Sequence, residues 1–142
     1  MRTVLFAIMF VTASFADDST ARAKLIGHWQ PADSAAKDNG AWTLESGGGD
    51  VLRVTYSVGD QKLGDFECST TGRECEIADS GKGAKVSLWF NGANLVELET
   101  KGREVVKRRF AAAEQGDTLD IEVIPIVPEG KTETLHFKRF SR

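Results

Sequence analysis

The sequence predicts an all-β protein, an antiparallel up-and-down β-barrel of about eight strands. Three stretches begin with a glycine that stands three residues before a leucine, and each leucine opens a β-rich run. Apolar and polar residues alternate along these runs, which is typical of strands that bury one face. Short turns separate the runs, which favours hairpin connections over the helical crossovers of an α/β fold. The three stretches are Gly49–Val54, Gly92–Glu97 and Gly116–Ile121.

Residues 1–16 have the pattern of a secretory signal peptide. Arg2 supplies a positive charge, Val4–Val11 is an uncharged apolar run, and Ser14–Ala16 has small residues at its first and last positions. The apolar run is shorter than the roughly 20 residues that cross a bilayer, and no later segment is apolar enough to do so. We therefore expect an exported protein, periplasmic or extracellular, in which residues 17–142 form a single barrel domain.

The charge pattern argues against nucleic acid as a partner. The chain has 18 basic and 21 acidic residues, with a net charge of −3, and the two signs are interspersed. The densest basic cluster, Lys107–Arg109, lies in a strand-like or helix-like run and predicts a solvated face. We expect a soluble monomer without a transmembrane segment.

Cys68 and Cys75 are the only cysteines, and a turn-rich hexapeptide separates them. In an exported protein this spacing predicts a disulfide across the neck of a hairpin. A metal site needs more ligands than two cysteines, and a redox site usually has a closer Cys-x-x-Cys pair. The pair is therefore interpreted as structural.

The first half of the chain is assigned by alternation and by its turn residues. Residues 17–24 are small and polar, which predicts a flexible or briefly helical lead into the first ordered element, Leu25–Pro31. Residues 32–40 form a polar loop, and Gly47–Gly49 is the sharpest break in the chain. Strands are predicted at Trp42–Glu45, Leu52–Val58, Lys62–Cys68 and Cys75–Ile77.

The second half continues the pattern of strands and turns. Asn91 and Gly92 are the strongest hairpin signal, because both tolerate a positive φ. The segment 103–113 is ambiguous, since its alanine-rich tail favours a helix while its valines favour a strand, but the short turns around it favour the strand. Pro125 and Pro128 predict that no long central ladder continues beyond Ile124. The other strands are predicted at Val86–Phe90, Leu95–Thr100, Leu119–Val123 and Leu135–Arg139.

The opening of the domain carries a family resemblance. Leu25, Gly27 and Trp29 form a Leu-x-Gly-x-Trp motif that resembles the start of lipocalin-like proteins of the calycin superfamily. The resemblance implies that Trp29 plugs the closed end of the barrel and that Arg139 packs over it in a cation–π contact. Within this superfamily, the chain more closely resembles short exported bacterial proteins with lipocalin-like domains and uncharacterised function. Their repeated Gly-x-x-Leu turns are matched by Leu52, Leu95 and Leu119.

No catalytic motif stands out. The sequence has neither a Gly-x-Ser-x-Gly nucleophile elbow nor a glycine-rich phosphate loop between a strand and a helix. His28 and His136 have no short-spaced partner, so no metal site is expected. We expect a protein that is not an enzyme, with no catalytic residue, metal or cofactor.

Inward-facing aromatic residues are the remaining candidates for a site. They predict either a filled barrel core or the wall of an apolar pocket, in which Tyr56 or Arg108 supplies polar contacts. The candidate ligand-binding residues are Trp42, Tyr56, Phe90, Arg108, Phe110 and Phe137.

Three functions remain open at this point. The first is binding of a small apolar ligand in the barrel or at its mouth. The second is a protein-binding module such as a periplasmic protease inhibitor, with residues 17–23 as a flexible trunk. The third is an envelope protein that binds no ligand.

Overall fold

The computed structural model describes residues 18–77 and 83–140, within which the chain forms one helix, one short 3-10 helix and ten strands. The predicted signal peptide, residues 1–16, lies outside this range and stays a prediction. No described helix is long and apolar enough to cross a membrane. The elements are α1 (Asp18–Leu25), β1 (Gly27–Pro31), the 3-10 helix (Ser34–Asn39), β2 (Ala41–Gly48), β3 (Val51–Val58), β4 (Gln61–Ser69), β5 (Thr71–Glu76), β6 (Lys85–Asn91), β7 (Asn94–Lys101), β8 (Glu104–Ala112), β9 (Thr118–Val127) and β10 (Glu133–Arg139).

The strands form a single antiparallel sheet that closes into an up-and-down barrel except at one seam. Each described strand pairs with the next along the chain, apart from β4 and β5, and β1 pairs with β10. The all-β up-and-down prediction is confirmed. The predicted number of about eight strands is corrected to ten, since each of the ten described strands, the short β1 and β5 included, pairs with at least one neighbour.

The three glycine-then-leucine stretches all lie at the same end of the barrel. They open β3, β7 and β9, and in an up-and-down barrel every second strand starts at the same end. Gly92, at a φ of 62°, shows why glycine leads such a stretch, since this left-handed conformation strains other residues. The three leucines are fully buried and form one layer inside this end: Leu52, Leu95 and Leu119.

Helix α1 covers the end of the barrel that carries this leucine layer, which we call the closed end. Asp18 in its first turn and Arg22 and Lys24 in its last turn suit the helix dipole. Ala21 and Leu25 are buried beneath it, while Arg22 donates hydrogen bonds to the turn between β2 and β3 and to Thr70. The lead predicted at residues 17–24 as flexible or briefly helical is therefore, from Asp18 onward, a helix that packs on the barrel.

Two uncertain segments of the second half are strands. The ambiguous segment 103–113 contains β8, which pairs with β7 on one side and β9 on the other. Strand β9 extends to Val127, beyond the end expected at Ile124. Past Val123 it pairs only with β8, and Pro125 lies there beside a shift in register. The proline is tolerated because β9 has only one neighbour at that position.

Cys68 and Cys75 form the predicted disulfide, with their Cα atoms 5.8 Å apart. The expected hairpin neck is corrected, since β4 and β5 do not pair through a ladder of backbone hydrogen bonds. The bond instead joins the two strands that flank the seam, and so links the two edges of the sheet covalently.

Candidate functional site

A cavity of about 170 Å³ lies inside the barrel, towards the end opposite α1, which we call the open end. Residues from β2, β3, β4, β7 and β8 contribute to its wall, together with positions next to β5 and β6. Most of the wall is aromatic or aliphatic, as is usual for small-molecule sites. The main apolar residues are Trp42, Val54, Tyr56, Phe66, Ile77 and Ala84.

An ion pair forms the polar part of the wall. Glu97 on β7 stands directly opposite Arg108 on β8, and the guanidinium Nη1 lies 2.6 Å from the carboxylate Oε1. Glu97 is only 1% exposed, and Arg108 also lies 3.6 Å from a second carboxylate, that of Glu99. Alternation along β7 turns Glu97 and Glu99 to the same side as the buried Leu95.

Burial and the opposite charge act on both members of this ion pair. Removal from water raises the pKa of the Glu97 carboxyl above its ordinary value, although the charge of Arg108 opposes this. Burial also works against the charge of Arg108, but the carboxylates of Glu97 and Glu99 outweigh it and raise the pKa of the guanidinium. Arg108 therefore stays charged. Glu97 takes up a proton more readily than an exposed glutamate does.

Two buried polar atoms in this wall have no hydrogen-bond partner among the described residues. They are Nε1 of Trp42, which is a donor, and Oε2 of Glu97, which is an acceptor when the carboxylate is ionised. Leaving such an atom unpaired costs roughly 1–3 kcal/mol. Native proteins hold few such atoms, so two of them on residues that line one cavity mark it as a candidate binding site.

The aromatic part of the wall is held in place by stacking. The ring centroids of Trp42 and Tyr56 are 4.6 Å apart, and the guanidinium carbon of Arg108 lies 5.6 Å from the Trp42 ring. The Tyr56 hydroxyl donates to the carbonyl of Asn39, at the end of the 3-10 helix. Gly40 makes room for this ring, because a Cβ there would lie 2.6 Å from it.

Three of the six candidate ligand-binding residues line the cavity and three do not. Trp42, Tyr56 and Arg108 are brought together in its wall. Phe110 is fully buried and meets Trp42 edge to face at 5.2 Å, so it supports the wall from behind. The remaining two lie in other parts of the barrel: Phe137 is buried in the core, and Phe90 is half-buried, 5.9 Å from the guanidinium of Arg22 in α1.

The pair expected to close the barrel lies at the closed end. The guanidinium carbon of Arg139 is 4.3 Å from the ring centroid of Trp29. Arg139 also donates to the carbonyls of Lys24 and Ile26, at and just after the end of α1, and to that of Gly116. The pair thus ties α1 to the last strand, and on its other side Trp29 stands opposite the cavity residue Trp42 of β2.

The sequence analysis missed most of the residues that line the cavity, among them Glu97 and Leu63. The spacing of Leu95, Glu97 and Glu99 contains the signal for Glu97, because it places two acids on the face of a buried leucine. Leu63 escaped this kind of reasoning because β4 has a register shift opposite Tyr56 and Ser57. The bulge breaks the alternation and lets Leu63 line the cavity while remaining 53% exposed.

The histidines take part in pairs with side chains of neighbouring strands. His28 hydrogen-bonds to Thr43 at 3.0 Å, and the exposed His136 lies 2.7 Å from Asp120. Across residues 18–77 and 83–140, no group of three His, Cys, Asp or Glu residues is arranged to hold a metal ion.

The fold is similar to several solved structures. A secretory abundant heat soluble protein from Ramazzottius varieornatus matches with a TM-score of 0.68 and 15% identity, covering 82% of this chain and 96% of its own. A Schistosoma mansoni fatty acid binding protein, solved in complex with arachidonic acid, matches with a TM-score of 0.66 and 14% identity, covering 85% and 99%. Fatty-acid-binding protein 1 of Echinococcus granulosus gives a TM-score of 0.61 at 8% identity, covering 84% and 99%.

These structural neighbours are lipocalin-like β-barrels of the calycin superfamily, which agrees with the architecture that the sequence resemblance implied. No family model and no curated protein sequence matches the chain. At these levels of identity the likeness is one of fold alone.

Proposed function

We propose that this protein binds a small, mainly apolar ligand in the cavity at the open end of the barrel. The observation that carries the proposal is an apolar interior cavity whose wall holds two unpaired buried polar atoms, Trp42 Nε1 and Glu97 Oε2. A bound ligand that pairs with these atoms recovers the free energy that they cost. The structural neighbour from Schistosoma mansoni, solved with arachidonic acid, supports the use of this fold for an apolar ligand.

The volume of the cavity limits the size of the ligand. Sites for drug-sized molecules enclose about 300–1,000 Å³, whereas an apolar cavity of about 150 Å³ accommodates one benzene molecule. A cavity of about 170 Å³ therefore suits a single ring or a short chain. A longer molecule would project through the mouth, where the exposed side chain of Leu63 offers it an apolar contact.

We also propose that the protein is exported and that it is not an enzyme. The leader-like residues 1–16 and the Cys68–Cys75 disulfide support a protein that is exported to an oxidising compartment. The wall supplies an ion pair and aromatic rings, and no nucleophile is paired with a base within it. We therefore propose a binding role for a single barrel domain, and not an enzymatic one.

A cavity-filling variant tests the proposal. Gly64 lines the cavity, and a Cβ on it would approach only the Cβ of Tyr56, at 3.9 Å. Gly64→Leu should occupy the cavity at little cost in stability and abolish ligand binding. The matched control is Glu67→Leu, which adds the same side chain at an exposed position on the same strand.

The measurement is native mass spectrometry of both variants and of the unmodified protein. All three are expressed in, and isolated from, the protein's own host. We expect one reproducible small-molecule adduct in the unmodified protein and in Glu67→Leu, and none in Gly64→Leu. An adduct that survives unchanged in Gly64→Leu would place the ligand elsewhere. The lack of any adduct, together with no response to small aromatic probes, would remove the proposal.

A further inference from the structure

The chemistry of the cavity wall selects among apolar ligands by their polar head. On the basis of the proposed function, we infer that the ligand carries a neutral head group with both a hydrogen-bond donor and an acceptor, such as an amide or an alcohol. Glu97 Oε2 needs a donor and Trp42 Nε1 needs an acceptor, and both residues line the same cavity. A neutral amide or hydroxyl group supplies both in one unit.

A carboxylate head fits this wall poorly. Arg108 is the cation of the buried pair, and it already has two carboxylate partners, Glu97 at 2.6 Å and Glu99 at 3.6 Å. A third carboxylate would add another negative charge beside Glu97 and Glu99, and the second cation of the wall, Lys101, is exposed to solvent rather than buried beside this pair. It would also offer only acceptors, so an ionised Glu97 would remain unpaired. The site therefore disfavours free fatty acids.

A protonated amine can pair with only one of the two unpaired atoms. It donates to Glu97, but it has no acceptor to offer the indole N–H of Trp42. A purely apolar ligand satisfies neither atom and gains only from burial of its surface. A neutral head with both functions is thus the one head group that satisfies both atoms without adding a charge.

Four probes that share one ring and differ in their head group test the inference on the unmodified protein. They are benzamide, benzoate, benzylamine and toluene, and the ring suits a cavity of about 170 Å³. Affinities come from titrations of ¹⁵N-labelled protein at pH 7.5, followed by the backbone amide signals of the cavity residues, with the indole N–H of Trp42 as a further reporter where it is present. Benzamide should bind about tenfold or more tightly than each of the others, because only it pairs both orphaned atoms.

Two conservative variants locate the effect. Trp42→Phe removes the indole N–H and keeps an aromatic ring, so the advantage of benzamide over toluene should fall several-fold. Trp89→Phe is the matched control, because Trp89 is on β6 and does not line the cavity. Trp89→Phe should leave the ratio of the benzamide and toluene affinities unchanged. In the unmodified protein, the indole signal of Trp89 should not respond to benzamide.

The outcomes separate this inference from the proposal on which it rests. Benzoate or toluene that binds as tightly as benzamide, with shifts at cavity residues, overturns the neutral head group and leaves ligand binding in place. Failure of all four probes to shift any cavity signal overturns both. A preference for benzamide that Trp42→Phe leaves unchanged overturns the assigned role of Trp42.

Discussion

At the scale of single residues, the ion pair between Glu97 and Arg108 sets the character of the cavity. A buried ion pair contributes little net stability compared with an apolar pair, but breaking it leaves one charge stranded. The role of the pair is therefore to place polar groups in the cavity wall and to orient the side chains around them. Its position beside Trp42, 5.6 Å from the guanidinium carbon, lets the same arginine hold the ring and the carboxylate.

Replacing the cation of this pair should reveal how strongly it is coupled to Glu97. We expect Arg108→Met to lower the free energy of unfolding by about 3–5 kcal/mol at neutral pH, because Glu97 is left buried and unpaired. Burial already raises the pKa of Glu97 in the folded state, and loss of Arg108 removes the main force that opposes this. The deficit should therefore be largest above the folded-state pKa and shrink as the pH falls towards 4.5, the ordinary value.

Urea unfolding of the variant and the unmodified protein, across a pH series from 7.5 to 4, measures this effect. Arg108→Met combined with Glu97→Gln is the matched control, since it has no stranded charge and should lose the pH-dependent part of the deficit. A deficit in Arg108→Met that is constant over the whole range would contradict the coupling.

At the scale of elements, the repeated glycine-then-leucine stretches serve the closed end. Strands β3, β7 and β9 start there, and each contributes one fully buried leucine to a layer under α1. Trp29 and Arg139 complete this end, because Arg139 binds the carbonyls of Lys24 and Ile26. The repeat therefore serves to pack the closed end. It recurs because β3, β7 and β9 all start at this end of the barrel.

The leucine layer should dominate the stability of the closed end. We expect Leu95→Ala to lower the free energy of unfolding by about 2–5 kcal/mol, because it deletes a fully buried side chain and leaves a cavity. Leu63→Ala makes the same chemical change at a 53% exposed position and should cost within about 0.5 kcal/mol. Denaturant melts at one pH compare the two variants, and similar costs would contradict the layer as a stability determinant.

At the scale of the whole molecule, the seam between β4 and β5 is the main irregularity of the barrel. These edges share no ladder of backbone hydrogen bonds, yet the Cys68–Cys75 bond holds them together. The bond closes a short stretch of chain, with a sequence separation of 7, so its effect on the unfolded chain is modest. Its larger role is local, where no ladder of backbone hydrogen bonds keeps the edges aligned.

Removal of the disulfide should therefore loosen the seam more than the rest of the barrel. We expect Cys68→Ser combined with Cys75→Ser to lower the free energy of unfolding by about 2–3 kcal/mol. Amide hydrogen exchange should quicken most in β4 and β5 and least in β8 and β9, which pair with neighbours on both sides. Reduction of the unmodified protein should reproduce this pattern, and a uniform increase along the chain would contradict it.

Local pattern was enough to predict the architecture but not the site. Alternation and glycine turns predicted an antiparallel barrel, and the spacing of Cys68 and Cys75 predicted their bond. The seam was not predicted, because nothing in the sequence of β4 or β5 shows that the two strands fail to pair. Alternation placed Trp42 and Tyr56 inward. The solvated face predicted for Lys107–Arg109 is corrected for Arg108, which lies in the cavity wall and meets Glu97, because that contact depends on the register between β7 and β8.

The two ends of the barrel depend on largely separate sets of residues. The leucine layer, Trp29 and Arg139 anchor one end, while Trp42, Tyr56 and Gly64 form the wall at the other. Trp42 is the exception, because it stands opposite Trp29 in the register of β1 and β2. Substitutions at Tyr56 and Gly64 lie on β3 and β4, away from the anchoring contacts, and effects at distant sites combine almost additively. The protein is therefore a suitable starting point for directed evolution, in which new ligand preferences are selected at the open end while the closed end keeps the barrel folded.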